Sequence, residues 1–315
     1  MSNITVQLID DYFKTGIVAN RSKWSLLEGK TPTYDVINHV LRVILQLGHL
    51  GEYISEFEAL SHHQHSDGGW GNHPNELGSG IRNTCFATRN LIRANRVLNK
   101  KDFAIRIERA VRYVISKQDP EGFWPDRTWG PLDATSSAIG LLVYTRKEYF
   151  GTATKEIHAA ANDCLNRAKL YLEHTQASNG SWIDDKRKEE AVGSTAHLLP
   201  KLVLVESKNT STIGNAIDFL INSQDEDGFW DDKHIDHTCD SIRALLLTYS
   251  VIADLRILQV IERGIVCLQS TVNPDGGWGI FPGRRSSLLM TCDVLDAFSK
   301  YEAHCNKISM RTFWE

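Results

Sequence analysis

The sequence lacks several features that define large classes of proteins. Its 315 residues contain no run close to the roughly 20 apolar residues of a membrane-spanning helix. The first residues show no basic segment followed by an apolar one, so we expect no secretory signal. The six cysteines are widely spaced without a Cys-x2-Cys pair, which favours reduced thiols and a cytoplasmic protein. Peripheral contact with a membrane remains compatible with this pattern.

An excess of charge of one sign is also missing. The 35 basic and 39 acidic residues give a net charge of −4, which argues against a nucleic-acid-binding protein. The sequence has no phosphate-binding glycine loop, no dinucleotide fingerprint and no Gly-x-Ser-x-Gly nucleophile motif. We therefore predict none of these sites. The 42% apolar content indicates a globular protein with an ample core.

The sequence does contain an internal repeat. The pattern Gln-x3-Gly-x-Trp occurs four times with one spacing, and a fifth copy has three extra residues before its glycine. The copies are Gln64/Gly68/Trp70, Gln118/Gly122/Trp124, Gln176/Gly180/Trp182, Gln224/Gly228/Trp230 and Gln269/Gly276/Trp278. A helical run precedes each glutamine, and a threonine 8 to 14 residues after each tryptophan begins another. These threonines are Thr84, Thr135, Thr195, Thr238 and Thr291.

Each copy is predicted to form a helix, a glycine turn and a second helix. The first 50 residues supply a sixth, degraded copy, in which Trp24 precedes the helical segment 31–47. Six helix pairs fill residues 1–315 with no linker between them, so we expect a single domain. Six pairs are also enough to close a ring.

These Gln/Asp-Gly-x-Trp turns, each followed by a helix that starts near a threonine, resemble the repeat of squalene and oxidosqualene cyclases. They resemble equally the β subunits of protein prenyltransferases. The likeness covers nearly the whole chain. It implies an all-α fold, an (α/α)6 toroid of six helix hairpins, with an apolar active-site cavity at one end. In both families the barrel works with a second domain or subunit. This implies a homodimer or a partner subunit that covers the barrel mouth.

The position two residues before each threonine differs between copies and is acidic in two of them, at Asp133 and Asp236. In class II terpene cyclases a DxDDTA or DCTA motif places the proton-donating aspartate there. The resemblance thus implies Asp133 or Asp236 as the acid, with His237 tuning or orienting Asp236. A carboxylic acid in an apolar cavity has a raised pKa and can protonate an alkene. Helix capping by either aspartate is the alternative. When the degraded copy is counted as the first, repeat counting places the cyclase acid in the second copy, Gln64/Gly68/Trp70, which has Arg82 instead.

The prenyltransferase likeness implies a different site. In that family Asp and Cys on the fifth post-Trp helix and His on the sixth hold zinc, and the matching positions here include Cys239 and Met290. Because a thioether is a poor zinc donor, His237 or a nearby aspartate would have to complete the site. The alternative for Cys239 is simple packing, since small residues occupy its position in the other copies.

Two of the post-Trp helices carry polar stripes. The stripe at i, i+3, i+4 and i+7 on the fifth helix consists of Asp236, Cys239, Asp240 and Arg243, and Asp293 and Asp296 follow on the sixth. Since buried charges are costly unless paired, we predict that this stripe serves the cavity. The stripe on the second helix consists of Arg82, Arg89, Arg93 and Arg96. It would suit a diphosphate, or else an ion-pair seam or a solvated helix end.

We therefore predict a class II terpene cyclase-like enzyme that protonates a linear isoprenoid or a prenyl diphosphate. The catalytic candidates are Asp236, Asp133 and His237. The substrate-binding candidates are Asp240, Arg82, Arg89, Arg243, Asp293, Trp129, Phe281 and His197, of which the aromatic side chains would stabilise a carbocation. No redox cofactor is needed, and Mg²⁺ would suit a diphosphate. The alternatives are a zinc-dependent prenyltransferase using Cys239 and His237, and a non-catalytic toroid that binds a lipid or a protein.

Overall fold

The structure is a computed structural model, which describes residues 6–27, 32–148, 155–183, 191–206, 208 and 210–307. This part of the chain is helical, and strand-like pairing within it is limited to isolated bridges in the turns. Its α-helices are α1 (Val6–Tyr12), α2 (Tyr34–Gln46), α3 (Ile54–His62), α4 (Ile81–Leu98), α5 (Lys101–Ser116), α6 (Pro131–Glu148), α7 (Lys155–Thr175), α8 (Ala191–Glu206), α9 (Ser211–Asn222), α10 (Ile235–Ile252), α11 (Leu255–Ser270) and α12 (Leu288–Cys305). The predicted all-α class is confirmed. None of the helices in these ranges combines the length and the apolar character needed to cross a bilayer.

The helices fall into two compact units. The first contains α2 to α7, between Ser22 and Thr175, and the second contains α8 to α12 together with α1. We call them the α2–α7 unit and the α8–α12 unit. In the first unit α4 packs against α2, α5 and α6, and in the second α10 packs against α8, α11 and α12. Helices that follow a repeat tryptophan are thus neighbours within each unit. The single domain and the closed ring stay predictions.

The repeat tryptophans join the two helices of each hairpin. In all five copies the tryptophan backbone N–H donates a hydrogen bond of 3.0–3.2 Å to the hydroxyl of the threonine in the following helix. In four copies the indole N–H also donates, at 2.7–2.9 Å, to a carbonyl near the end of the preceding helix. These tryptophans are fully buried. Losing such an acceptor would cost about 1–3 kcal/mol, which explains why Trp and Thr recur together.

The repeat glutamines join one hairpin to the next. The side-chain amide of Gln118 donates to the carbonyl of Gly122 in its own turn (2.9 Å) and to that of Cys164 in α7 (2.8 Å). The other glutamines with this pair of bonds are Gln64, Gln176 and Gln224. The amide thus satisfies carbonyls in two successive hairpins.

The glycine in these turns is required by its backbone and by its neighbours. Gly122 and Gly180 have φ values of 103° and 90°, a left-handed conformation that other residues rarely adopt. A Cβ at Gly122 would also collide with the carbonyl oxygen of Arg167, and one at Gly180 with that of Asn215. Because the next helix passes this close, only glycine fits the turn.

The degraded first copy is divided between the two units. α1 continues into a π-helical turn at Phe13–Ile17 and packs against α12. A Cβ at Gly276 would collide with the hydroxyl of Thr15. The segment that continues α1 therefore packs against the fifth glycine turn, just as the first helix of the next hairpin packs against each of the other glycine turns. α2, the second helix of this copy, begins after Thr33, whose hydroxyl accepts a bond from the first turn (3.3 Å).

Candidate active site

A cluster of charged side chains lies where α10 packs against α8 and α12. α10 begins at Ile235, and the His234 imidazole caps it by accepting from the backbone of its first turn. From Ile235 to Thr248 every residue is buried except Asp236. The polar stripe predicted for this helix therefore lies inside the protein, where its charged groups need partners.

Arg243 supplies partners for three carboxylates. Its Nη1 donates to Asp293 (2.7 Å) and Asp296 (3.2 Å) of α12. Its Nη2 donates to Asp240, one turn earlier on α10. The planar guanidinium suits such forked contacts. Burial acts to lower the pKa of Arg243, but the three carboxylates raise this pKa well above its usual value, so the side chain stays charged.

Two more basic side chains complete this network. Nε2 of His197 on α8 lies 2.7 Å from Oδ2 of Asp240. Nζ of Lys300 donates to both carboxylate oxygens of Asp296 at 2.7 Å. Burial acts to raise the pKa of Asp240, but His197 and Arg243 hold it well below its usual range. In these contacts three carboxylates face three basic side chains.

Asp236 is the carboxyl of the stripe that stands outside this network. No hydrogen bond or ion pair joins it to any residue that the structure describes, and its side chain is only partly buried. Burial raises the pKa of Asp236 well above the usual range, and the negative charges of Asp240 and Asp293 raise it further. The charges of Arg243 and His197 oppose this rise without cancelling it. A carboxyl with a raised pKa, no bond to a described residue and a partly exposed side chain has the properties of a proton donor.

No hydrogen bond or ion pair joins His237 to Asp236 in the described part of the chain. Nδ1 of His237 lies 2.6 Å from Oδ2 of Asp231, and its ring stacks on that of His234 with centroids 4.1 Å apart. Adjacent residues on a helix point about 100° apart, which separates the two side chains. The histidine whose charge acts on Asp236 is His197 of α8.

Cys239 is fully buried on α10. Burial raises the pKa of its thiol well above the usual value, with Arg243 opposing, whereas zinc binds the thiolate. Across the described ranges, no group of three or more His, Cys, Asp or Glu side chains is arranged to hold a metal ion. A zinc site with Cys239 and His237, and a role for Mg²⁺, stay predictions.

Phe281 lies at the start of α10. Its ring meets that of His234 edge-on with centroids 5.2 Å apart, and 37% of the residue is exposed. The carbonyl of the preceding Ile280 accepts a hydrogen bond of 3.0 Å from the backbone of Ile235. This loop therefore runs across the N-terminus of α10.

The α2–α7 unit holds a second charged cluster, centred on Arg82 of α4. The guanidinium of Arg82 bonds to Asp35 of α2, and its Nε lies 3.1 Å from Oδ2 of Asp133 on α6. The same group lies over the rings of Trp129 and Phe86, 4.0 and 4.6 Å from their centroids. Asp133, the other predicted acid, is therefore held in an ion pair, and Trp129 packs on the arginine.

Arg89 is not part of this second cluster. It lies seven residues further along α4, and its guanidinium is 5.7 Å from the ring centroid of Tyr144. No hydrogen bond or ion pair connects Arg89 to a residue within the described ranges. Within the described residues, the face predicted as one arginine stripe thus contains an arginine in ion pairs, Arg82, and one for which no ion pair is seen, Arg89.

Comparison with known proteins relates the fold to that of several enzymes. No protein-family model matches the chain. Its fold is similar to that of the type II terpene cyclase MstE from Scytonema, with a TM-score of 0.65 and 16% identity, covering 94% of this chain and 98% of that one. Other structures of MstE contain geranylgeranyl dihydroxybenzoate as substrate or merosterolic acid A as product. The chain has a terpene cyclase-like fold.

Carbohydrate-active proteins have a similar fold. An alpha-amylase from Clostridium perfringens matches with a TM-score of 0.66 and 12% identity, covering 96% of this chain and 99% of that one. A polysaccharide lyase matches equally well, with a TM-score of 0.66, 12% identity, and coverage of 96% and 98%. At these identities the likeness shows the fold alone, because one fold hosts several activities. The function has to be argued from the side chains.

Two members of these clusters were not among the sequence candidates. Asp35 pairs with Arg82. It is an acid in the first turn of a mostly apolar helix, the same kind of signal that drew attention to Asp236. Lys300 lies four residues after Asp296, so the i, i+4 spacing of opposite charges could have identified it.

Proposed function

We propose that the chain is a terpene cyclase-like enzyme that protonates a linear isoprenoid, with Asp236 as the general acid. The observation that carries this proposal is a contrast within one cluster. The three other carboxylates are bonded to basic groups, whereas Asp236 has a raised pKa, a partly exposed side chain and no hydrogen bond or ion pair with any residue that the structure describes. The terpene cyclase-like fold supports the reaction class.

The reaction would begin with proton transfer from Asp236 to one carbon of an alkene, which leaves a carbocation on the other carbon. The π electrons of the next double bond attack this cation and close a ring. The last cation loses a proton, so the product is an isomer of the substrate. Asp236 becomes a carboxylate, which the charges of Arg243 and His197 stabilise until solvent returns the proton.

Asp133 is less suited to this role. Its carboxyl lies against the guanidinium of Arg82, which also bonds to Asp35. The ion pair occupies the Asp133 carboxyl, whereas Asp236 forms no such pair with a described residue. We therefore assign to Asp133 the structural task of placing Arg82 between α2 and α6.

The carbohydrate-active proteins of similar fold suggest a competing chemistry. Glycoside hydrolysis generally uses two carboxyl groups, one as acid and one as base or nucleophile. Here both oxygens of Asp240 are already bonded, one to Arg243 and one to His197. Among the described carboxylates of this cluster, only Asp236 is not bonded to a basic group, which favours cyclisation started by protonation over chemistry that needs a second free carboxylate.

The experiment compares wild type with Asp236→Asn and Asp133→Asn. Each protein is incubated with linear prenyl diphosphates of increasing length, squalene and geranylgeranyl dihydroxybenzoate, with and without Mg²⁺, and the products are analysed by mass spectrometry. We expect wild type to form a cyclised isomer of unchanged mass. Asp236→Asn should slow its formation by about 10²- to 10⁴-fold, the usual contribution of a general acid. Asp133→Asn should stay within about tenfold of wild type.

Circular dichroism and thermal melting confirm that each variant is folded before its rate is compared. Undiminished turnover in Asp236→Asn would refute its role as the acid. If no substrate gives an isomer while starch or another polysaccharide is cleaved, the cyclase proposal is wrong. One bound zinc per chain would favour the prenyltransferase alternative. Light scattering tests the proposed homodimer.

A further inference from the structure

His237 on α10 is a buried imidazole that the reaction described above does not use. Its Nδ1 lies 2.6 Å from Oδ2 of Asp231, and 8% of the residue is exposed. Because a carboxylate oxygen only accepts hydrogen bonds, the proton of the neutral ring stays on Nδ1, and Nε2 keeps its lone pair. No hydrogen bond joins Nε2 to any residue that the structure describes. The ring thus has the form in which a histidine accepts a proton.

The turn before α10 adopts an unfavourable conformation that places Asp231. Asp231, Asp232 and Lys233 have φ values of 54°, 52° and 69°, so three successive residues are left-handed without a glycine among them. This conformation brings the Cβ of each residue too close to its own backbone. Backbone strain of this kind is found where a site needs the geometry that it produces. Here the result is the contact between the Asp231 carboxylate and His237.

The His237 ring occupies the place of a missing side chain on α8. A Cβ at Gly193 would lie 2.8 Å from Nε2 of His237 and 3.0 Å from its Cδ2, so the ring lies against the α8 backbone. Gly193 stands two residues before the threonine of its hairpin, which is the repeat position that Asp236 holds on α10. His237 therefore brings Nε2 to a position where α8 has no side chain of its own.

The next turn of α8 and α10 shows which faces of the two helices meet. His197 of α8 lies 2.7 Å from Asp240 of α10. Residues four apart share a helix face, so Gly193 lies on the same face of α8 as His197. Asp236 lies likewise on the face of α10 that carries Asp240. Nε2 of His237 is therefore one turn before the His197–Asp240 contact, at the α8 position that corresponds to the proposed acid.

We infer that His237 is the base that ends the cyclisation, and that Asp231 is the residue that positions it. This inference rests on the proposed function. In the last step a carbon next to the cationic carbon loses its proton to Nε2 of His237. The two electrons of the broken C–H bond form the new double bond. The Asp231 carboxylate stabilises the resulting imidazolium until the proton passes to solvent.

The base and the acid do not neutralise each other in this arrangement. No hydrogen bond or ion pair between His237 and Asp236 is seen in the described ranges, and successive residues of a helix point about 100° apart. A base bonded to the acid would take the proton that the first step needs. Two separate groups at one end of α10 can instead hold opposite protonation states, so that one gives a proton first and the other accepts one last.

The activity test compares wild type with His237→Asn and His234→Asn, using the substrates offered to Asp236→Asn. Asparagine at position 237 can still donate an N–H to Asp231 but has no Nε2. His234→Asn is the matched control, because it removes the stacked neighbouring ring while asparagine still caps the helix. We expect His237→Asn to consume substrate and to lose the wild-type isomer as its main product. Mass spectrometry should show other double-bond isomers or products heavier by one water, whereas His234→Asn should keep the wild-type isomer.

Several results would overturn the inference and leave Asp236 as the acid. One is an unchanged main product in His237→Asn. Another is the same change of product in His234→Asn, because packing of the rings and not a base would then control the outcome. A folded His237→Asn that consumes no substrate also overturns it, since the residue would then act on the first step. If wild type forms no cyclised isomer, the proposed function and this inference fail together.

The protonation of the ring can be measured without turnover. Long-range nitrogen–proton spectra of protein with ¹⁵N-labelled histidine, near neutral pH, should show His237 with a protonated Nδ1 and an unprotonated Nε2. The amide of Asp231→Asn can donate as well as accept, so this variant should move part of the His237 population to the other tautomer and reduce the share of the wild-type isomer. It also provides the activity test if His237→Asn does not fold. A proton on Nε2 in wild type, or an Asp231→Asn variant with unchanged tautomer and products, would overturn the inference.

Discussion

The two compact units each hold a buried arginine among carboxylates, but they compensate their charges differently. In the α2–α7 unit Arg82 faces Asp35 and Asp133, and both carboxylates contact it. In the α8–α12 unit Arg243 faces three carboxylates, and His197 and Lys300 share the task of neutralising them. There a fourth carboxyl, Asp236, forms no ion pair with any residue that the structure describes.

This difference separates two aspartates that hold the same position in the repeat. Asp133 and Asp236 both stand two residues before the threonine of their hairpin. Asp133 lies in an ion pair, whereas the pKa of Asp236 is raised by burial and by neighbouring carboxylates. The chemistry of the position is therefore set by the neighbouring helices and not by the motif.

The largest effect on stability should come from removing the central arginine of each cluster. Arg243→Gln leaves three buried carboxylates short of a cation, which should lower the free energy of unfolding by about 3–5 kcal/mol. Arg82→Gln should cost less, because Asp35 and Asp133 are 11% and 14% exposed, compared with 3% and 1% for Asp293 and Asp296. Urea denaturation near neutral pH measures both.

Acid should partly rescue the arginine variant. At low pH the carboxylates released by Arg243→Gln become protonated, so the gap in stability between this variant and wild type should narrow. A gap that does not change with pH, or an equal loss in Arg82→Gln, would show that the two clusters do not differ as described.

Smaller effects of opposite sign should come from the two aspartates. Asp133→Asn removes a partner of Arg82 and should lower the free energy of unfolding by about 1–3 kcal/mol. Asp236→Asn should raise the free energy of unfolding near neutral pH. Asparagine is neutral at every pH, whereas the aspartate has to take up a proton on folding to avoid a buried negative charge. Thermal melts of the two variants beside wild type test the sign.

The effect at Asp236 should depend on pH in one direction. The unfolded state titrates with a pKa of about 3.9, and the pKa in the folded state is higher. Between these values the folded protein binds the extra proton, so wild-type stability falls as pH rises. The advantage of Asp236→Asn should vanish below about pH 4 and grow above it. An advantage that shrinks with rising pH would contradict the raised pKa.

Helical periodicity alone identified much of the α8–α12 cluster. The i, i+3, i+4, i+7 spacing placed Asp236, Asp240 and Arg243 on one face, and the acidic positions of the next helix added Asp293 and Asp296. The repeat likewise predicted the all-α class and the positions of the glycine turns. These features are local, so a single helix or hairpin determines them.

The partners across helices could not be predicted in the same way. Asp35 lies 47 residues before Arg82, in the copy of the repeat that is most degraded. His237 was chosen because it adjoins Asp236 in sequence, yet its neighbour in space is Asp231. The histidine that acts on Asp236 comes from α8. Such pairings depend on how helices pack, which one sequence does not reveal.

The central claim is that Asp236 keeps its proton in the folded protein. Infrared difference spectroscopy of wild type minus Asp236→Asn tests it directly near pH 6, roughly two units above the ordinary pKa of an aspartate. We predict that the difference spectrum contains the C=O stretching band of a carboxylic acid, and that this band shifts in deuterated water. A difference spectrum that contains only the carboxylate bands would contradict the claim, because Asp236 would then have no proton to donate.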